Sequence, residues 1–277
     1  MKKLKKLSLM DILSYFILSA GAITMVLPFL WMLSTSLKAR RLINMYPPRW
    51  IPNPVAWENY PRAIEAFPFF QYLLNNIKIT TLIITGVLLT SSLAGYAFSR
   101  MRFRFRDALF MVILAAMMIP GQVTMIPVFL LVRDLGWIDS HTALIIPSLI
   151  SPFGIFILRQ YFLTIPRDLE DAAYIDGCNP LGVYAKIMLP LAAPALAALT
   201  VITFMGTWNA FIWPLILISS KSKQMLSVGL LQFMNQYNSD YNLLMAATLL
   251  CLAPIMIVYM FTQRYFVEGI AVSGIKG

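Results

Sequence analysis

Ionisable side chains are scarce in this sequence. Only 12% of its 277 residues are charged, there is a single histidine, His141, and there are two cysteines, Cys178 and Cys251. A soluble domain carries about twice that share of charge. Two cysteines so far apart suggest neither a disulfide framework nor a metal site. One histidine at a predicted helix end reads as an interfacial cap or surface residue. A membrane-embedded enzyme needs acids, bases or nucleophiles converging at one level, and these residues do not supply them. No Gly-x-x-x-x-Gly-Lys-Ser/Thr loop is present, so the sequence offers no phosphate cradle for a nucleotide. Acidic residues are fewer than basic ones, 12 against 22, for a net charge of +10. In a membrane protein that excess is expected of loops facing anionic lipid and does not point to nucleic acid.

What is abundant is apolar surface. Hydrophobic residues make up 59% of the chain, against roughly 45–50% in soluble domains. Six stretches of at least 19 residues lack Asp, Glu, Lys and Arg: 12–37, 79–99, 108–132, 140–158, 187–220 and 241–263. A helix needs about 20 apolar residues to cross a bilayer core. The expected fold is therefore an all-α integral membrane protein with six transmembrane helices. The spans are placed at about 12–34, 76–99, 108–131, 141–160, 196–218 and 242–262, within a transmembrane domain 12–262. A short tail, 1–11, precedes them and another, 263–277, follows; a loop, 161–195, separates the fourth from the fifth. A proton- or ion-coupled secondary transporter usually keeps ionisable groups at membrane depth, and these stretches have none.

The N-terminal MKKLKK before an apolar run has the start of a signal peptide, and Ala20-Gly21-Ala22 offers a small-residue cleavage pattern. The run continues through Leu33 without a break, so a retained first span is the better reading. Residues 38–70 form a proline-rich polar loop whose Trp50, Trp57 and Tyr60 suit an interface, although Lys38, Arg40, Arg41, Arg49 and Arg62 weigh against an outside position. The compact cluster RMRFRFRD, 100–107, reads as a positive-inside loop with aromatic anchors rather than an RNA-binding patch. It falls on the same side as the N-terminal lysines, so both termini are expected in the cytoplasm. Pro120, Gly121 and Pro127 predict a kink in the third span. In the fifth, Asn209 beside Trp208 has two readings: a helix-to-helix hydrogen bond, or contact with a substrate in a polar cavity.

The decisive stretch lies in the loop 161–195. Residues 169–190 read LEDAAYIDGCNPLGVYAKIMLP. Pro166 and the acids Asp168, Glu170 and Asp171 predict a helix start, Gly177 a left-handed helix end, and Asn179-Pro180 the cap and first turn of a second helix. Pro190 and Pro194 are expected to close that second helix. Leu169, Ala172, Ala173 and Asp176 fall on one face, where small residues allow close approach by another surface.

This spacing resembles the cytoplasmic coupling loop of ATP-binding-cassette importer permeases: EAA, three residues, Gly, nine residues, Ile-x-Leu-Pro. Asp171-Ala172-Ala173 stands for EAA, followed by Gly177, Ile187, Leu189 and Pro190. Asp171 replaces the usual Glu, which leaves open whether it fully substitutes; Glu170 is adjacent and is a candidate to serve instead. The passages NYPRAIE (59–65), LAGYAFSRMRF (93–103), MMIPGQVTMIPVFLL (117–131), FGIFILRQYF (153–162), TWNAFIWPL (207–215) and QRYFVEGIAVSGIKG (263–277) extend the resemblance to the carbohydrate-uptake group of these permeases. The resemblance implies a non-enzymatic subunit in the inner membrane of a prokaryote that forms half of an import pathway for sugars or related compounds. Its implied partners are a second permease, a dimeric cytoplasmic ATPase that uses the ATP, an extracytoplasmic solute-binding protein and membrane lipid. No cofactor is implied for this chain. Glu170, Asp171, Ala172, Ala173, Asp176, Gly177, Ile187, Leu189 and Pro190 are the implied ATPase-coupling residues, and Trp208 and Asn209 are candidates for the pathway. A permease for peptides or amino acids shares the loop and is the alternative.

Overall fold

The computed structural model describes residues 9–234 and 240–273, the last twelve of these as backbone only. Among the described residues the structure is all helix and turn, with no strand. In chain order the helices are α1 (Leu9–Ser36), α2 (Asn59–Glu65), α3 (Phe69–Arg100), α4 (Arg106–Met117), α5 (Gly121–Asp134), α6 (His141–Ile145), α7 (Pro152–Thr164), α8 (Asp168–Ile175) and α9 (Pro180–Val183). They continue as α10 (Leu189–Leu191), α11 (Ala193–Trp208), α12 (Ile212–Leu217), α13 (Leu226–Gly229) and α14 (Tyr241–Ser273). Four segments are long and apolar enough to cross a membrane: α1, α3, His141–Thr164, and α14 over Tyr241–Phe261. Two bent pairs bring the number to six when each counts as one crossing.

Two of the six expected segments contain sharp bends. α4 and α5 meet at 100°, far more than a kink. They have 12 and 14 residues, or about 18 and 21 Å of helix, so neither half alone spans a core of about 30 Å. Pro120 explains the turn: it disfavours helical backbone at Ile119 and is itself extended, with ψ 132°. The second bend, 74°, lies between Pro180–Leu191 and α11. Pro190 therefore sits inside the hairpin's second helical run and Pro194 in the first turn of α11. Neither ends a helix; the break falls at Ala192.

The chain divides into two units, Met1–Phe67 with Leu230–Ala253, and Pro68–Gly229 with Pro254–Gly277. In the first, the buried part of α1 is its polar end, Ser34, Thr35 and Ser36, while the apolar body is exposed. That inversion suits a helix with lipid as solvent. Asn59 ties the unit together. Its Nδ2 donates to the carbonyls of Ser36 (2.8 Å) and Lys38 (2.9 Å), and its Oδ1 accepts from Asn242 (3.0 Å). Lys38 is buried with its ammonium 3.9 Å from the Trp31 ring centre, and burial lowers its pKa. Arg40 pairs with Asp240 at 3.0 Å.

The second unit is built on α3, which packs along α7 and against α11. Ile79, Ile83 and Val87 recur every fourth residue and form one buried stripe. Closer to the helix end the contact is made by small residues. A Cβ on Gly95 would lie 3.0 Å from the backbone nitrogen of Arg159, and one on Gly154 would lie 2.5 Å from Ser91 Oγ. Such residues let two backbones approach where dispersion contacts, rather than water exclusion, hold helices together.

The turn before α6 is clamped by a polar knot. Asp139 accepts from the amides of Ser219 (3.0 Å) and Ser220 (2.8 Å), from the Ser220 hydroxyl and from Lys223 Nζ (3.2 Å). His141 Nε2 lies 2.9 Å from the Lys223 carbonyl, so the lone histidine belongs to this knot. The Ser220 bonds, with help from Lys223 and Ser219, hold the Asp139 carboxyl well below the usual carboxylate range. A depressed pKa stabilises the fold above the unfolded value of about 4 and loses that contribution as the pH falls through the folded value. Asp139→Asn should therefore lower the melting temperature in detergent at neutral pH, and the difference from the parent should shrink below about pH 4. Asn tolerates the left-handed backbone at this position, φ 57°, so the substitution removes the charge and one acceptor oxygen without straining the turn.

Candidate coupling hairpin and membrane cavity

The loop expected to carry function forms a helical hairpin. α8 opens with Asp168, Glu170 and Asp171 in its first turn, where negative charge opposes the helix dipole. It ends at Gly177, whose φ of +83° is the left-handed cap. The Gly177 amide donates to Tyr174 O at 3.0 Å and the Cys178 amide to Ala173 O at 2.9 Å. Asn179 then caps the second helix, its Oδ1 accepting from Gly182 N at 2.7 Å, with Pro180 as the first residue. The sequence signals did not reveal that this helix widens into a π-turn over Tyr184–Met188. Extra residues in a turn of this kind are frequent at functional sites.

Burial sorts the expected coupling residues into two groups. Asp171, Ala172, Asp176, Gly177 and Pro190 are exposed, and Ile187 and Leu189 are half-buried against the core. Ala173 is buried in that core, so its small size admits the chain's own packing rather than a foreign surface. Ala173 thus faces away from Ala172, and the expected shared face is split. Glu170 is also buried: its Oε1 lies 2.8 Å from Arg100 Nε, without hydrogen-bond alignment. Arg100 also donates to the carbonyls of Phe162 and Ile165 at the end of α7, the first of which also accepts from Ile165 N at 3.2 Å. Burial raises the Glu170 pKa, with Arg100 acting in the opposite sense. Glu170 therefore faces this chain's own Arg100, whereas Asp171 is exposed.

Two residues at the hairpin tip escaped the sequence reading. Ile175 is 86% exposed and Leu181 69% exposed, flanking the Gly177 turn. Their signal was their position beside the acids of the motif, but apolar residues in a largely apolar chain draw no attention.

The fifth span is interrupted after Trp208, and side chains satisfy the carbonyls the break exposes. Asn76 Nδ2 donates to Trp208 O at 3.2 Å, and the Ser227 hydroxyl donates to Ala210 O. Asn76 Oδ1 accepts from Leu226 N at 3.2 Å, and Asn75 holds the carbonyls of Ser222 and Gln224, both at 2.9 Å. Interrupted helices persist at membrane depth only with such replacement partners. Trp208 is buried, stacked on Phe204 with ring centres 5.2 Å apart. Asn209 is exposed, and its Nδ2 donates to Met205 O at 3.0 Å. Beside the break lies a cavity of about 370 Å³, lined among others by Ile79, Ile83, Ser148, Thr207 and Trp213. Neither Trp208 nor Asn209 lines it. Among the described residues no group of three or more His, Cys, Asp or Glu could hold a metal ion.

The chain is similar to the arabinooligosaccharides transport system permease AraQ of Halalkalibacterium halodurans, 38% identical over 77% of this chain and 76% of the relative. It is 31% identical to the lactose transport system permease LacG of Rhizobium radiobacter, over 94% of both. Among solved structures it resembles a chain of a bacterial ABC transporter that imports the acidic polysaccharide alginate, with a TM-score of 0.83 at 27% identity over 93% of this chain and 96% of that one. The model for binding-protein-dependent transport system inner membrane components matches residues 83–272, and the chain belongs to that family of ABC transporter permease subunits, which are transport components and not enzymes.

Proposed function

We propose that this chain is one permease of an ATP-driven importer of sugars, oligosaccharides or related compounds. In this reading a second permease completes the pathway, an extracytoplasmic solute-binding protein delivers the substrate, and a dimeric cytoplasmic ATPase supplies the energy. ATP is bound by that ATPase, and this chain carries no cofactor. The names of the relatives support the carbohydrate class. Both termini, the 100–107 cluster and the hairpin lie on the cytoplasmic side. Of the positive charges that weighed against an outside position for residues 38–70, Lys38 is buried and Arg40 is paired.

The observation that carries the docking reading is the hairpin tip. Ile175 and Leu181 hold apolar surface in water beside exposed Asp171 and Asp176, while the turn behind them is fixed by two caps. An apolar knob with an acidic rim suits a partner groove with an apolar floor and basic edges: the floor contributes affinity and the rim charges contribute orientation. On the membrane side, Thr207, Ser148 and Trp213 of the cavity are the groups for polyol contact. Asn209, exposed two residues after Thr207, is a further pathway residue.

The test is purification of the tagged chain from its host in mild detergent. The parent should bring down a phosphate-loop ATPase and a second permease. Ile175→Asp/Leu181→Asp should retain the permease and lose at least about nine-tenths of the ATPase, since hot-spot truncations cost about 2 kcal/mol or more. Full retention of the ATPase by the double variant would refute docking through the tip.

A further inference from the structure

Besides its apolar packing, the hairpin makes three polar contacts with one face of one helix. Ser92, Tyr96 and Arg100 recur every fourth residue along the end of α3. Ser92 Oγ lies 2.7 Å from the hydroxyl of Tyr184, the first residue of the π-turn. Tyr96 OH donates to the carbonyl of Pro180, at the start of the second hairpin helix, at 3.3 Å. Arg100 meets Glu170 of the first hairpin helix at 2.8 Å. The rings of Tyr96 and Tyr184 add a contact with centres 5.4 Å apart. Ser92, Tyr96 and Tyr184 are all buried. A buried hydroxyl without a partner is costly, so these pairings resist being slid apart. Both helices of the hairpin and its π-turn are thus bound to the same stripe.

At the other end of α3, Ile79 and Ile83 form part of the cavity wall. From Ile79 to Arg100 is about 30 Å of continuous helix. We infer that the Ser92–Tyr96–Arg100 stripe is the link through which displacement of the hairpin moves α3 and reshapes the cavity. These are positioning residues: they touch neither ATP nor solute. The inference rests on the docking reading, but adds to it which helix carries the motion and through which side chains.

The experiment uses the assembled transporter with a cysteine at Thr207 and with Cys178 and Cys251 changed to alanine. The labelling rate of the new cysteine by a maleimide is measured without nucleotide and after trapping with ATP and vanadate. ATPase co-purification is measured in parallel. The parent should show an ATP-dependent change in labelling rate. Ser92→Ala/Tyr96→Phe, which removes only two hydroxyls, should reduce that change about two- to tenfold, the equilibrium equivalent of a hydrogen bond, while ATPase recovery stays at the parental level. Ser92→Thr alone, which keeps a hydroxyl, should preserve the response. An undiminished response in the double variant overturns the proposal, as does a parent whose labelling ignores ATP while the ATPase is bound. A parent that recovers no ATPase fails earlier and removes the docking reading on which the link depends. A purely stabilising role would lower the melting temperature and leave the ATP-dependent ratio unchanged, which also refutes the link.

Discussion

Arg100→Met should destabilise the chain by about 3 kcal/mol at neutral pH, because removing one partner of a buried ion pair leaves the other charge without compensation. Arg100 and Glu170 are both nearly inaccessible, with side-chain exposures of 5% and 9%. The loss should depend on pH in a defined direction. Burial already raises the Glu170 pKa and Arg100 is the largest opposing influence, so its removal raises the value further. A group with a raised folded pKa is favourable below its unfolded value, about 4.3, and loses that contribution as the pH rises through the folded value. Acidifying the variant from about pH 8 to about pH 5 should therefore recover part of its stability, as Glu170 takes up a proton. Glu170→Gln should cost less and show no such recovery: it leaves no buried carboxylate, and Arg100 keeps the carbonyls of Phe162 and Ile165. Thermal unfolding of both variants in detergent across that range checks the point. Parallel pH profiles for the two would show that Glu170 holds no charge at this site.

The second large effect is expected at Gly177. Its φ of +83° lies where a side chain is strained, and no heavy atom lies within 4 Å of a Cβ built there. The Cβ of Gly177→Val therefore meets no clash, and the main expected cost is backbone conformation, about 1–2 kcal/mol for an ordinary residue and more for a β-branched one. Relief of that strain reorients Ile175 and Leu181 at the tip. Uptake of the transported solute should fall about tenfold or more, the equivalent of about 1.4 kcal/mol, with membrane insertion at the parental level. Gly177→Asn should lose much less, since Asn accepts left-handed backbone. Equal uptake by the Val variant and the parent would show that the turn transmits nothing.

Much of the architecture could be read from one dimension. Six charge-free stretches place the apolar segments, because a charge at membrane depth is costly wherever it falls along a helix. The hairpin was legible for a similar reason. Caps act within a few residues of themselves, so Asn179-Pro180 and Gly177 specify their own turns whatever surrounds them. Those local rules did not extend to the facing of α8. Which carboxylate, Glu170 or Asp171, turns inward depends on Arg100, at the far end of another helix. Likewise, Trp208 belongs to the core because Phe204 and the Asn76 amide meet it there, and no spacing in the fifth span states that. Asn75 and Asn76 look in sequence like the polar edge of a span, yet they brace the break after Trp208 and the loop near Gln224. Sequence by itself determined the number of apolar segments, the hairpin and its caps, since propensity and burial cost act residue by residue. Tertiary structure decided which side chains bind the hairpin to α3 and which face the cavity, since a pairing exists only once distant segments are brought together.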